Sequence, residues 1–196
     1  MTRNEIQETR MRGYFIQAAS EILRSEGMRA LSVRNIADRA GYSYATLYNY
    51  FKDVRELIFE CVKVFMDEAR TMIETERSKV APGLPGIRRA AETYAMFFVQ
   101  YPGVFNIFFT EKPNEIAGAQ PTLALIYSFL DEICASDWKQ IEESGSLPKA
   151  VISSKKDSLR FSLAGILLLY LNRRMAPDYS AFKKMLNKEL DNILSM

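Results

Sequence analysis

Between Tyr42 and Lys52 the chain reads YSYATLYNYFK and sets out Ser43, Tyr44, Thr46, Tyr48, Asn49 and Lys52. These groups are hydroxyls, an amide and an ammonium, with no nucleophile paired to a base. Their chemistry is recognition rather than bond-making. Hydroxyls and ammonium groups reach phosphate oxygens, while amides, Thr methyls and aromatic rings meet base edges and thymine methyls. Four tyrosines in eleven residues are too many for a segment that only packs into a core. The stretch implies a partner that is polar and long.

Composition narrows the alternatives. The 196 residues contain no histidine, which removes His-dependent triads, His-anchored zinc sites and the commonest general base. The carboxylates lie scattered on solvated faces, and neither a phosphate loop nor a metal cluster is present in the sequence, so no cofactor and no metal are expected. Cys61 and Cys134 stand far apart in apolar helical surroundings and read as buried free thiols of a reducing, cytoplasmic protein. The net charge of +2 is unevenly spread: eight basic against five acidic side chains up to Lys52 leave that quarter at +3 and the remainder at −1. This permits a nucleic-acid partner without demanding one. The N-terminus has no signal-peptide apolar run. Phe161 to Asn172 is uncharged but too short to span a bilayer, and Thr93 to Thr110 is interrupted by Gln100, Pro102-Gly103 and Asn106. No membrane segment is expected.

Periodicity is helical throughout, which predicts an all-α chain of about nine to ten helices. A first helix from Glu8 to Glu26 carries the stripe Met11, Phe15, Ala18, Ala19 and Ile22, and Gly27 stops it. Ser32 caps a second helix to Ala40, and Gly41 breaks it. A short third helix runs from Tyr44 to Tyr50. Asp53 and Glu56 in DVRE form a capping box for a long fourth helix toward Lys79. The Pro/Gly cluster VAPGLPG follows, then helices at Ile87–Tyr101, Val104–Thr110, Thr122–Glu143, Val151–Met175 and Tyr179–Leu194.

Two short helices joined at Gly41 make a helix-turn-helix, with Ile36, Ala37, Leu47 and Phe51 expected inside. Leu31 to Leu57, LSVRNIADRAGYSYATLYNYFKDVREL, resembles the DNA-binding motif of the TetR family of bacterial transcriptional regulators. The shared features are the capping Ser, the Ile-Ala pair, the Gly turn, the Ser, Leu-Tyr and aromatic-Phe positions, and a Lys-Asp opening the fourth helix. Ala45 stands where Gly is common, and Tyr50 where His is frequent. The resemblance covers about residues 8–60. It implies phosphate contacts from Tyr48 and Lys52, with Ser43, Tyr44, Thr46 and Asn49 facing bases or sugar-phosphate. Ser32 and Arg34 open the second helix, whose N-terminus attracts a phosphate. Plainer roles stand beside these: Ser32 caps its helix with or without DNA, Arg34 is a solvated charge, and Tyr42 packs.

The resemblance also implies a division into a reader, residues 1–53, and a body, residues 54–196, that senses a small molecule and dimerises. Thr93 to Phe109 packs seven aromatics into seventeen residues. Phe97, Phe98, Tyr101, Phe105 and Phe109, with Tyr127, either line an apolar pocket for a small apolar or aromatic ligand or form ordinary core. Leu123, Ile126 and Leu130 make one stripe. LAGILLLYL, with Leu163, Ile166, Leu169 and Tyr170, is apolar on nearly all sides. These residues either pair with a second copy of the chain or bury internally. The sequence thus points to a homodimeric regulator that binds a palindromic double-stranded operator as a repressor released by a small ligand. A regulator answering to a protein partner is the second reading, and an enzyme or carrier with a helical pocket the third.

Overall fold

A computed structural model describes residues 2–110 and 119–195, apart from the side chains of residues 119–123. The described residues form ten α-helices and one 3-10 turn, and contain no strand. They pack as two compact units. One comprises Met1–Asp67 and Tyr101–Ile126, the other Glu68–Gln100 and Tyr127–Met196.

In the first unit, α1 (Arg3–Ser25) begins five residues before the expected Glu8. Thr2 and Glu5 are the reason: the Glu5 N–H donates to Thr2 Oγ1 (3.3 Å) and the Thr2 N–H to Glu5 Oε2 (2.8 Å), a complete capping box. The helix stops before Gly27, whose φ of +78° strains any residue with a Cβ. After the 3-10 turn Met28–Ala30, Ser32 caps α2 (Val33–Ala40) by accepting from the Asn35 N–H at 3.1 Å. Left-handed Gly41 ends it. Helix α3 (Tyr44–Tyr48) is two residues shorter than expected, and α4 (Val54–Arg77) follows. The Glu56 N–H donates to Asp53 Oδ1 (2.9 Å), but the Glu56 carboxylate accepts from the N–H of Lys52, one residue ahead of the expected box. Phe15, Ile36, Ala37, Leu47 and Phe51 are buried, as the motif requires. Helix α6 (Pro102–Phe109) starts two residues early, with Pro102 at its first position. It docks on α1, and a Cβ on Gly103 would lie 2.3 Å from the Leu23 carbonyl oxygen. Only glycine permits that approach.

The second unit holds the last turns of α4, all of α5 (Leu84–Gln100), the end of α7 (Ala119–Ile133), α8 (Ala135–Glu143), α9 (Lys149–Leu171) and α10 (Tyr179–Leu194). Helix α5 packs against α8, α9 and α10. It starts three residues before the expected Ile87, and Gly86 in its first turn leaves room for the carboxylate of Asp137, whose Oδ1 would sit 2.8 Å from an added Cβ. Asp137 is 1% exposed. It accepts from the Gly83 N–H (2.8 Å) and pairs with Arg77 Nε (3.0 Å). Arg77 also donates to the Ile133 carbonyl at 2.5 Å. In an unbroken helix that carbonyl would accept from the Asp137 N–H. The single helix expected over Thr122–Glu143 is therefore two, meeting at Cys134. Helix α9 ends at Leu171 rather than Met175, in a turn where Arg173 takes a φ of +55°.

Candidate nucleic-acid interface

Helix α2 packs on both α1 and α3, and Ile36, Ala37 and Leu47 lock the α2–α3 pair from inside. The outer face of α3 is then fixed. Tyr44 is 65% and Tyr48 53% exposed, and Asn49 and Lys52 are exposed beside them. Ser43 caps α3 by accepting from the Thr46 N–H at 3.2 Å, and its Oγ lies 2.9 Å from Thr46 Oγ1. Each hydroxyl keeps further hydrogen-bonding capacity, so the pair can serve the helix and a partner together. Arg34 is exposed at the start of α2 and stands 3.9 Å from Asp38, a solvent-screened pair that leaves the guanidinium accessible. All eight DNA-facing candidates, Ser32, Arg34, Ser43, Tyr44, Thr46, Tyr48, Asn49 and Lys52, fall on α2, on α3 or on the turns next to them.

Two supports of this face had no local signal in the sequence. The Arg12 guanidinium of α1 donates to the Tyr50 carbonyl, pairs with Glu56 at 3.2 Å and lies 4.2 Å from the Phe51 ring centre. Since Glu56 accepts from the Lys52 N–H, Arg12 holds the backbone that carries the Lys52 ammonium. Its partners lie 38 and 44 residues away, beyond any helical spacing. Tyr14 is the second. Its ring stacks on Tyr42 with centroids 6.1 Å apart, and Tyr42 also meets Phe15 at 5.7 Å. Tyr42 therefore packs on one side while part of its ring stays in solvent. The Asp53 carboxyl is held below its ordinary range, first by the Glu56 N–H and also by Arg55.

The six aromatic candidates for a pocket divide between the units. Phe97, Phe98 and Tyr127 belong to the second, Tyr101, Phe105 and Phe109 to the first. Phe97 and Phe98 are buried edge to face at 5.4 Å, and Phe98 meets Tyr94 at 4.9 Å. Burial raises the Tyr94 hydroxyl. Phe105 stacks on Phe109 at 4.8 Å, and Tyr101 lies under the Arg24 guanidinium at 5.3 Å. Tyr127 is exposed, with the Arg160 guanidinium 3.9 Å from its centroid. Within the second unit, a cavity of about 320 Å³ opens between α4, α5 and α10, where Met72, Thr93, Met96 and Leu186 meet Arg89 and Lys183.

The dimerisation candidates differ among themselves. Ile126, Leu130 and Leu163 are buried within the chain and keep little surface for a partner. Ile166 is half-buried, and half-buried Tyr170 stacks on Phe182 at 4.3 Å. Leu169 is exposed, and the Leu123 side chain lies outside the described residues. The most exposed apolar groups of α9 are Phe161 (62%) and Leu168 (43%), on the same helix but not singled out by the sequence. Cys61 and Cys134 are free and buried, and burial pushes their thiols up to about 11 and about 12.

Residues 15–61 match the profile of the bacterial regulatory proteins of the tetR family. Solved structures share the fold across nearly the whole chain. FadR from Bacillus subtilis, in complex with stearoyl-CoA, aligns with a TM-score of 0.73 at 15% identity, covering 93% of this chain and 97% of its own. A TetR family transcription regulator from Marinobacter aquaeolei VT8 gives 0.63 at 19% identity, with 97% of each chain covered. RolR in complex with resorcinol gives 0.66 at 16% identity, covering 96% and 95%. The membrane reading has one structural counterpart: among the described residues, no helix is long and apolar enough to cross a bilayer.

Proposed function

We propose that this chain, a TetR-family transcription regulator whose residues 15–61 match the family profile, is a homodimeric repressor released from a palindromic operator by a small, largely apolar ligand. Residues 1–53 are the reader in this proposal and residues 54–196 the sensing and dimerising body. The observation that carries it is the outward face of α3, where Tyr44, Tyr48, Asn49 and Lys52 are exposed on a short helix whose inner face is closed by Leu47. Tyr48 and Lys52 hold phosphates, while Tyr44 and Thr46 read bases, with Ser43 and Asn49 at the two ends of the helix.

One helix-turn-helix makes few contacts, and two at a fixed spacing read half-sites about 34–36 Å apart or a multiple of that. Exposed Phe161, Leu168 and Leu169 on α9 support a partner copy there, as does a groove of about 890 Å³ along α9 and α10 that includes Phe161. Support for a ligand comes from the aromatic density of Thr93 to Phe109 and from the ligands of two fold neighbours, stearoyl-CoA and resorcinol, each with an apolar portion. Helix α4 belongs to both units, so a ligand that repacks its last turns has a covalent route to Lys52. A preference of about 1–3 kcal/mol for the released state changes operator affinity some 5- to 150-fold.

The test is selection of binding sites from a random duplex library, followed by a thermal-shift screen of apolar and aromatic compounds. A palindromic consensus bound by a dimer, together with hits that release it, supports the reading. Failure to enrich any duplex sequence would sink it. Enrichment without a releasing compound favours control by a protein partner.

A further inference from the structure

We propose that the N-terminal half of α1 is a second DNA-contacting element, gripping sugar-phosphate beyond the reach of the helix-turn-helix through Arg3, Gln7, Arg10 and Tyr14. The proposal rests on the DNA-binding reading above and extends it to residues outside the reading motif.

The first observation is the length of α1. The capping box of Thr2 and Glu5 starts the helix at Arg3, five residues ahead of the Glu8 that the sequence suggests. Arg3, Gln7, Arg10 and Tyr14 follow one another at spacings of four, three and four, which puts them on one helix face. All four are exposed. The acidic residues of this half, Glu5 and Glu8, fall on the opposite side at 100° per residue, and Glu5 is engaged in the cap. Neither Arg3 nor Arg10 has an ion pair among the described residues. The face is therefore basic and polar without a compensating carboxylate, whereas Arg39, another exposed arginine of this unit, pairs with Glu26 at 2.8 Å.

The second observation is where this face leads. Tyr14 stacks on Tyr42, the residue before the Ser43 cap of α3. Two residues earlier, Arg12 grips the Tyr50 carbonyl and Glu56, just past the other end of α3. Helix α1 is thus pinned at both ends of the reading helix by one of its own turns. Its orientation relative to α3 is set before any DNA arrives, so binding costs little further ordering of the helix. From Tyr14 the face continues through eleven residues to Arg3, a rise of about 16 Å. Duplex DNA carries one charge per about 1.7 Å of axis, so an element of this length beside α3 meets further phosphates. Tyr14 has the same chemistry as Tyr48, an exposed ring with a hydroxyl donor, at the junction with the known motif.

The experiment uses the full chain and a mixed-sequence 40-base-pair duplex, with affinity measured by fluorescence anisotropy from 50 to 200 mM salt. Lys52→Ala serves as the reference. Arg3→Ala/Arg10→Ala should lower the salt slope by about 1.8 per bound subunit and weaken binding by at least about 10-fold at 0.1 M salt, on mixed-sequence and selected duplexes alike. Arg3→Lys/Arg10→Lys should restore the slope. Tyr14→Phe keeps the stacked ring and should cost about 2- to 10-fold without changing sequence preference. Both arginines are exposed, so thermal melting should not move. An unchanged slope in the double alanine variant, with Lys52→Ala still lowering it, overturns this proposal and leaves the helix-turn-helix reading standing. Absence of duplex binding by the unmodified protein overturns both.

Discussion

The reading unit and the body use the same residue class in opposite directions. Around α3, Tyr14, Tyr42, Tyr44 and Tyr48 are exposed. In α5, Tyr94, Phe97 and Phe98 turn inward and meet edge to face. The supports differ as well. The reader is held mostly by short-range caps: Ser32 on Asn35, Ser43 on Thr46 and Asp53 on Glu56, each three residues apart. The body is held at Asp137, whose partners Arg77 and Gly83 lie 60 and 54 residues away along the chain. In the proposed division, local support suits a unit that must keep its shape for a chemically constant partner. Long-range support lets a body change its lining while keeping its helices in place.

The largest expected effect breaks the long-range support. Asp137→Ala removes the buried carboxylate and leaves the Arg77 charge without its counter-ion, which should cost about 3–5 kcal/mol. Urea unfolding with separate probes for the two units checks it. The loss should appear first in the body, and equal loss in both units would erase the contrast drawn above. Gly86→Ala tests the same node from the other side. Its Cβ must push the Asp137 carboxylate aside, which should cost about 1–3 kcal/mol.

Next in size is the apolar face of α9. Phe161→Glu with Leu168→Glu places two charges where a partner copy is proposed, and should weaken dimerisation by about 2–4 kcal/mol, or some 30- to 1000-fold. Sedimentation at micromolar concentration should then report monomers with a normal helical spectrum. Dimers of normal stability would show that α9 is not the seam.

Smaller still are the contacts of the reader. Lys52→Ala should weaken specific and unrelated duplexes alike and lower the salt slope by about 1 per bound subunit, because loss of the proposed phosphate contact is blind to sequence. Tyr44→Ala should instead change which selected sites are preferred. A change of preference from Lys52→Ala at constant nonspecific affinity would reverse the two roles.

What the sequence made legible follows the same contrast. The caps at Ser32 and Asp53, the turn at Gly41 and the buried Ile36, Ala37, Leu47 and Phe51 were readable because each is set by neighbours within a helical turn. Arg12 was not readable, because its partners Tyr50 and Glu56 come from another helix and the turn before it. The break at Cys134 was hidden for the same reason, since it depends on a side chain 56 residues away. In α9 the sequence showed an apolar helix without saying which side faces out. Leu163 is buried and Phe161, two residues earlier, is the exposed one. Hydrophobicity names a helix that must be covered, and only packing decides which side the chain covers for itself.

The smallest effect separates the two duties of the hydroxyl pair at the start of α3. Ser43 Oγ accepts from the Thr46 N–H and sits 2.9 Å from Thr46 Oγ1. The cap belongs to Ser43 alone, since Thr46 supplies its backbone donor whatever its side chain. Ser43→Ala should therefore cost about 1 kcal/mol, or about 2–4 °C in Tm for a chain of this size, and loosen α3 enough to weaken every duplex. Ser43→Asp keeps the cap but brings a negative charge to the DNA face. It should restore the melting temperature while weakening DNA binding further than alanine does. Thr46→Ala should leave Tm nearly unchanged and alter preference among selected sites, because its methyl and hydroxyl face outward from a helix that no longer needs them. The double variant, compared with the two single ones, measures the hydroxyl–hydroxyl contact itself, expected to be small because both groups are open to solvent. If Thr46→Ala lowered Tm as much as Ser43→Ala and left site preference alone, Thr46 would be structural. The short-range supports and the reading groups of α3 would then be the same residues.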